Sequence, residues 1–128
     1  MKDAVVGIDI GGTFTKFGII DRIGNVLMEG SVPTDQTDDV NIYLAGLNGA
    51  IDKSIADMGN SISIKGIGIG APNGNYLNGS IEFAPNLKWA NGKVVHLVSL
   101  MQDHFKMPVA VTNDANAAAI GEIGRAHV

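Results

Sequence analysis

Cysteine is absent from the 128 residues. That excludes disulfide frameworks, thiolate nucleophiles and thiolate metal sites, and it fits a reducing cytoplasm, the location we expect. Cations are scarce as well: nine Lys and Arg stand against 13 Asp and Glu, for a net charge of −4 and a pI near 5.1. No cluster of Lys or Arg builds a stripe that could track a phosphate backbone, so nucleic acid is not an expected partner. Small anions held by backbone amides remain open. No apolar run reaches the ~18 residues of a membrane span, and Met1-Lys2-Asp3 enters an apolar strand after one Lys, without a targeting segment. A membrane partner is not expected either. What remains is an ordinary globular balance, 45% hydrophobic and 17% charged, at the length of one domain.

Residues 4–10 are short, apolar and β-branched, and residues 14–21 and 26–32 are further strand candidates separated by Gly-containing turns. They read as a three-stranded antiparallel opening. Pro33 interrupts, and Thr37 or Asp38 is placed to cap a helix whose apolar positions Val40, Leu44, Leu47, Ile51, Ile55 and Met58 recur at helical spacing. Gly46 and Gly49 weaken that helix without abolishing it. Residues 62–70 alternate Ile with Ser, Lys or Gly and predict a buried strand, and residues 71–92, rich in Asn, Gly and Pro, predict an irregular stretch. Asn91 is placed to cap a second helix with Val94, Val98, Met101 and Phe105 on one face. Pro108 separates it from a strand at residues 109–112, and an Ala-rich helix is predicted from Asp114. The order βββαβαβα implies a mixed α/β sheet with an early meander.

Gly7-Ile8-Asp9-Ile10-Gly11-Gly12-Thr13 sets an acid near the end of a strand, then paired glycines, a hydroxyl and, at Lys16, a cation. Glycines let backbone N–H groups approach an anion, Thr13 adds a donor, and Asp9 could hold Mg²⁺ through water. A plain β-turn accounts for the glycines alone equally well. Gly7 and Gly12 have the spacing of a Walker A loop, but Thr13 stands where its Lys belongs. A dinucleotide fingerprint needs a helix after the glycines, whereas residues 14–19 show strand chemistry. A hairpin folding over phosphates is the remaining geometry. Farther along, Asn113 and Asp114 stand where a strand ends and a helix opens, the edge at which open α/β sheets bind ligands. A carboxylate there can take a proton from a hydroxyl attacking a phosphoryl group, with Asn113 orienting a sugar hydroxyl. A simple helix N-cap is the competing account.

Together these residues resemble the N-terminal domain of the ROK family, whose members include glucokinases, fructokinases, acetylated amino-sugar kinases and sugar-responsive repressors. Asp9 to Thr13 with Thr15-Lys16 resembles the family's first phosphate motif. Gly68-Ile69-Gly70-Ala71-Pro72-Asn73 is similar to its Gly-Ala-Pro strand exit, Pro85-Asn86-Leu87-Lys88-Trp89 to its sugar-contacting loop, and Asn113-Asp114-Ala115-Asn116 to its catalytic strand end. Each motif is weak alone, but four in order across nearly the whole chain are specific. The resemblance implies an actin-like ATPase (ribonuclease H-like) α/β fold and ATP-dependent phosphorylation of a hexose, glucose first. It implies Asp114 as general base, Asn73, Gly74, Asn86 and Asn113 holding sugar hydroxyls, and Asp9, Gly11, Gly12, Thr13 and Lys16 at the Mg²⁺-ATP phosphates. A hydroxyl-binding site of this kind rejects analogues that lack the hydroxyls. Trp89 reads as a packing residue, and His96, His104 and His127 lack ligand spacing.

Departures from the family pattern set further expectations. Members are about twice this length and carry a second domain with another phosphate loop, the adenosine pocket and, in many, a zinc site. We therefore expect residues 1–128 to be the N-terminal domain alone, a truncated or frameshifted piece that is inactive by itself and self-associates through an exposed cleft wall. With eight residues before Asp9, a kinase is expected over a repressor, which would place a helix-turn-helix there. Hydantoinase and acyl-dehydratase-activator ATPases share the Asp-Ile-Gly-Gly-Thr-Phe-Thr opening, but Lys16, Pro72-Asn73 and Asn113-Asp114 favour a sugar kinase. An inert sugar-binding fragment is the alternative of a different class.

Overall fold

The computed structural model describes residues 1–113; the Ala-rich segment that begins at Asp114 lies outside the described residues. Three strands open the chain, β1 (Lys2–Ile10), β2 (Phe14–Asp21) and β3 (Val26–Pro33). β1 is buried on both faces from Ala4 to Ile8, as a central strand must be, and its continuous apolar run reflects that. β2 alternates instead, burying Thr15, Phe17, Ile19 and Asp21 and turning Lys16 outward. Asp21 holds the turn into β3: its carboxylate accepts the N–H groups of Ile23 (3.1 Å) and Asn25 (2.9 Å) and the side-chain amide of Asn25 (3.1 Å).

Helix α1 (Val40–Met58) comes next, burying Leu44, Leu47 and Ile51 of the expected stripe and also Tyr43, which lay outside it. Its cap is Asp39, whose carboxylate accepts the N–H of Asn41 at 2.9 Å, rather than Thr37 or Asp38. Thr37 acts one step earlier, its hydroxyl accepting the N–H of Asp39. A single 3₁₀ turn leads into β4 (Ile62–Gly70). The segment expected to be irregular contains β5 (Gly74–Asn75) and β6 (Ser80–Glu82), which join β7 (Val94–Val95) in a small antiparallel sheet. Val94 therefore does not belong to the second helix. That helix, α2 (Leu97–Phe105), has His96 at its cap position and not Asn91, because the β-branched pair Val94-Val95 is drawn into pairing with Ile81 and Glu82. β8 (Val109–Thr112) closes the described chain.

The main sheet has the order β3-β2-β1-β4-β8. β1, β2 and β3 form the antiparallel meander, and β4 and β8 run parallel to β1. This is the mixed α/β architecture that the element order implies, with α1 against β3 and α2 against β8. The parallel registers set Asp9 beside Gly70, and Gly70 beside Thr112. The carboxyl ends of three neighbouring strands thus stand level at one edge of the sheet. Adjacent strands lie about 4.8 Å apart, so the chain at Asp9 and at Thr112 is separated by roughly 10 Å.

Candidate functional site

Asp9 occupies this edge half-buried, directly across from Lys16 in the β1–β2 register. Desolvation raises its carboxyl above the ordinary range, and the Lys16 charge counteracts part of the rise. Around the pair a groove of about 200 Å³ is lined by Gly7, Gly18, Ile20, Val26 and Glu29. A neighbouring hollow of about 350 Å³ takes in Lys16, Glu29, Gly30 and Ser31. A half-buried acid beside an exposed cation at the end of a central strand suits a phosphate-bound divalent ion and its anion.

The hairpin between β1 and β2 is closed by Gly11, whose N–H donates to the carbonyl of Phe14 at 3.0 Å. A Cβ on Gly11 would fall 2.8 Å from that carbonyl, so the glycine is required by the closure of the turn. The N–H is then spent inside the hairpin, which leaves Gly12, Thr13 and Lys16 as its outward groups. Thr15, which belongs to the same sequence motif, points the other way and is fully buried. Gly12 approaches the Asn86 loop: a Cβ there would meet the Asn86 carbonyl at 3.5 Å and Asn86 Cβ at 3.7 Å. Two motifs more than 70 residues apart in sequence are thus brought close together at these tips.

Residues 84–90 fold as consecutive tight turns, with Leu87 N–H donating to the Ala84 carbonyl (3.2 Å) and Ala90 N–H to that of Leu87 (2.9 Å). Leu87, Trp89 and Ala90 are buried while Asn86 and Lys88 stay exposed, so the apolar anchors hold the loop and the polar residues face outward. Trp89 is a packing residue, as expected. It stacks on Tyr43 with ring centroids 4.5 Å apart at 17°.

Asn73 and Asn113 are also brought together, the side-chain oxygen of Asn113 accepting the Asn73 N–H at 2.9 Å. Asn73 adopts a left-handed conformation (φ 58°), to which asparagine is suited. Its side-chain amide donates to the carbonyls of Glu82 and Phe83, both at 3.0 Å, leaving its oxygen as the outward group. Gly74 is dictated by crowding: a Cβ would lie 2.5 Å from the Thr112 carbonyl oxygen. Its N–H goes to Ala71 at 3.2 Å. Asp114 is next to Asn113 in the chain but lies outside the described residues, as does His127.

Two features here carry no sequence signal. Glu82 accepts hydrogen bonds from Ser80 Oγ (2.6 Å), Asn75 Nδ2 (3.2 Å) and Asn78 Nδ2 (3.3 Å). Ser80 foremost, then Asn78, with Asn75 and the charge of His96, hold its carboxyl below the usual range against some desolvation. Thr34 and Tyr43 form a buried hydroxyl network with Thr15, and both sit in segments whose pattern predicts only a loop and a helix face. His104 pairs with Asp52 at 2.7 Å on the surface. Among the described residues no three His, Asp or Glu side chains cluster as a metal site, and no helix is long and apolar enough to cross a membrane.

A mixed sheet with this strand order, carrying an acid and a glycine hairpin on its first two strands, belongs to the actin-like ATPase fold, the fold of the solved structures it matches. Within that class the chain belongs to the ROK family, whose model matches residues 5–126. The glucokinase of Halalkalibacterium halodurans is 33% identical over 120 residues, covering 92% of this chain and 36% of that protein. The xylose repressor of Caldicellulosiruptor bescii is 35% identical over 121 residues, covering 93% of this chain and 30% of the repressor. The structure of a ROK family glucokinase from Streptomyces griseus in complex with glucose and AMPPNP superimposes with a TM-score of 0.65 at 32% identity, covering 95% of this chain and 36% of that one. The chain spans about a third of the length of the relatives it matches.

Proposed function

We propose that residues 1–128 are the N-terminal domain of an ATP-dependent hexose kinase, with glucose as the substrate. The observation that carries this reading is the level sheet edge. Asp9 and Thr112, which Asn113 follows, stand level on it two strands apart, while the phosphate hairpin at Gly12 lies close to the Asn86 loop. Glucokinases among the relatives, one with glucose and AMPPNP, support the choice of sugar and nucleotide.

Gly12, Thr13 and Lys16 fit the phosphates of ATP, since their hydroxyl, ammonium and backbone groups face outward; Gly11 shapes the turn they stand on. Asp9 fits Mg²⁺ through water, because a half-buried carboxylate gains most from a nearby cation. ATP-Mg²⁺ supplies the phosphoryl group and neutralises its charge. On the sugar side Asn86, Asn113 and the Asn73 oxygen hold hydroxyls, with Gly74 keeping the Asn73 turn pressed against β8. Asp114 takes the proton of the attacking hydroxyl. The relatives are about three times as long, and the second domain that the family resemblance implies would complete the nucleotide pocket, so we expect the isolated chain to be inactive. Positioning of both reactants contributes most of the rate.

The test is a coupled assay of ATP-dependent phosphorylation with glucose, fructose, mannose and N-acetylated amino sugars, on this chain and on the full-length protein. We expect no turnover from the chain, turnover from the full-length protein with glucose preferred, and a loss of about 10²–10⁴-fold on Asp114→Asn. The xylose repressor at 35% identity supports a second reading, sugar binding without phosphoryl transfer. Calorimetric sugar binding by the full-length protein with no turnover on any sugar would establish that reading instead.

A further inference from the structure

The phosphate hairpin and the sugar loop are joined through a buried residue that neither motif contains. Thr34, just past β3, is fully buried and engaged at every polar atom. Its N–H donates to the Thr13 carbonyl at 2.8 Å, and its own carbonyl accepts the indole N–H of Trp89 at 3.2 Å. Its hydroxyl lies 2.7 Å from that of Thr15, which lies 2.7 Å from the hydroxyl of Tyr43. Tyr43 stacks on Trp89 and so closes a ring: hairpin, Thr34, sugar loop, helix α1 and back to the hairpin.

We propose that Thr34 is a positioning residue that couples the hairpin holding phosphates to the loop holding sugar, so that ordering one favours ordering the other. This coupling rests on the kinase reading of the site. Its physical basis is burial: Thr15, Thr34 and Trp89 are fully shielded, so a hydroxyl or indole that lost its partner would have no solvent to turn to. A fully satisfied network in a low-dielectric interior has one favoured arrangement, and moving either end disturbs the other. Desolvation pushes the Tyr43 hydroxyl above its ordinary range, against the Thr15 bond, so it stays protonated. The close approach of Gly12 to Asn86 sets the two tips side by side at the end of this linkage.

The chain has one tryptophan, so its indole proton gives a single unambiguous resonance. Hydrogen exchange of that proton and of the Leu87 and Ala90 amides is measured in the wild type, Thr15→Val, Thr34→Val and Thr34→Ser. Ile67→Val, a core truncation on β4, serves as control. Removing a hydroxyl from the hairpin side by Thr15→Val should speed exchange on the sugar loop about tenfold or more. Thr34→Val should do the same, and Thr34→Ser should restore protection. If a valine variant fails to fold, Tyr43→Phe keeps the stacking, removes one oxygen and is expected to act in the same direction. Unchanged exchange at Trp89 in Thr15→Val, or the same pattern from Ile67→Val, would overturn the linkage.

In the full-length protein, glucose affinity is then measured with and without AMPPNP. We expect the nucleotide to tighten glucose binding in the wild type and Thr34→Ser, and the ratio to fall toward one in Thr34→Val. A ratio that persists in Thr34→Val removes the coupling and leaves the kinase reading intact. Absence of glucose binding in every variant removes the kinase reading, and the linkage is then judged on exchange alone.

Discussion

Burial at the end of β1 lifts the Asp9 carboxyl above its ordinary range, with Lys16 opposing the shift. A group whose pKa is raised on folding contributes stability that is complete below its unfolded value, about 3.9, and lost as pH rises through the folded value. The acid is therefore held at a cost to the fold at neutral pH, as expected where charge is kept for a ligand. Asp9→Asn should raise the urea midpoint at pH 7 and leave it unchanged near pH 3.5 (roughly half a unit below the unfolded pKa); an equal gain at both would mean that Asp9 ionisation is not the cause. Gly74 carries the sharpest steric constraint, a Cβ 2.5 Å from the Thr112 carbonyl oxygen. Gly74→Ala should destabilise by about 1–3 kcal/mol in urea unfolding, and it should weaken sugar binding through the displaced Asn73–Asn113 hydrogen bond.

The β2–β3 turn shows the opposite titration from Asp9. Desolvation alone would raise the Asp21 carboxyl, but the donors on Asn25 and Ile23, with Lys2, hold it below its ordinary range. Its stabilisation is present above the unfolded pKa and lost as pH falls through the folded one. Asp21→Asn should lower the thermal midpoint at pH 7, with the difference shrinking in acid. For α1, Asp39→Ala removes the cap on the Asn41 N–H and should cost about 1 kcal/mol, whereas Asp38→Ala should be near neutral. Within the sugar loop, Trp89→Ala should cost about 3–5 kcal/mol, because the indole stacks on Tyr43 and, among the described residues, no other side chain anchors the Thr34 carbonyl. The strands of the meander were legible from short β-branched runs between Gly-containing turns and the stripe of α1 from its helical spacing, since both signals lie in neighbouring residues. The start of α2 was not, because Val94 and Val95 satisfy both a helix face and a strand, and pairing with β6 decides between them.

At the scale of the molecule, Phe14 in the hairpin and Phe83 just before the sugar loop stand 55% and 58% exposed. Large apolar side chains left open there predict self-association of the chain by itself. Light scattering at high concentration should show dimers or larger species that Phe14→Ser with Phe83→Ser reduces, and a clean wild-type monomer would remove the prediction. The amino-acid sequence by itself determined the strands and helices of the main α/β layer, the mixed sheet with its opening meander, and the family, because β-branched runs, helical spacing and the Asp-Ile-Gly-Gly-Thr and Asn-Asp motifs are local patterns; it did not show the small sheet of β5, β6 and β7. It also marked Asp9, Lys16, Asn73, Asn86 and Asn113 as polar residues at turns and strand ends. Only the tertiary structure decided which of them meet: Gly12 with Asn86, Asn73 with Asn113, and Asp9 level with Thr112 through two parallel registers. The Thr34 network belongs wholly to that second kind. Its hydrogen bonds span 19, 28 and 55 positions, and a buried threonine announces its partners by no local pattern, since its choice among them is made by the packing of β2, α1 and the sugar loop around it.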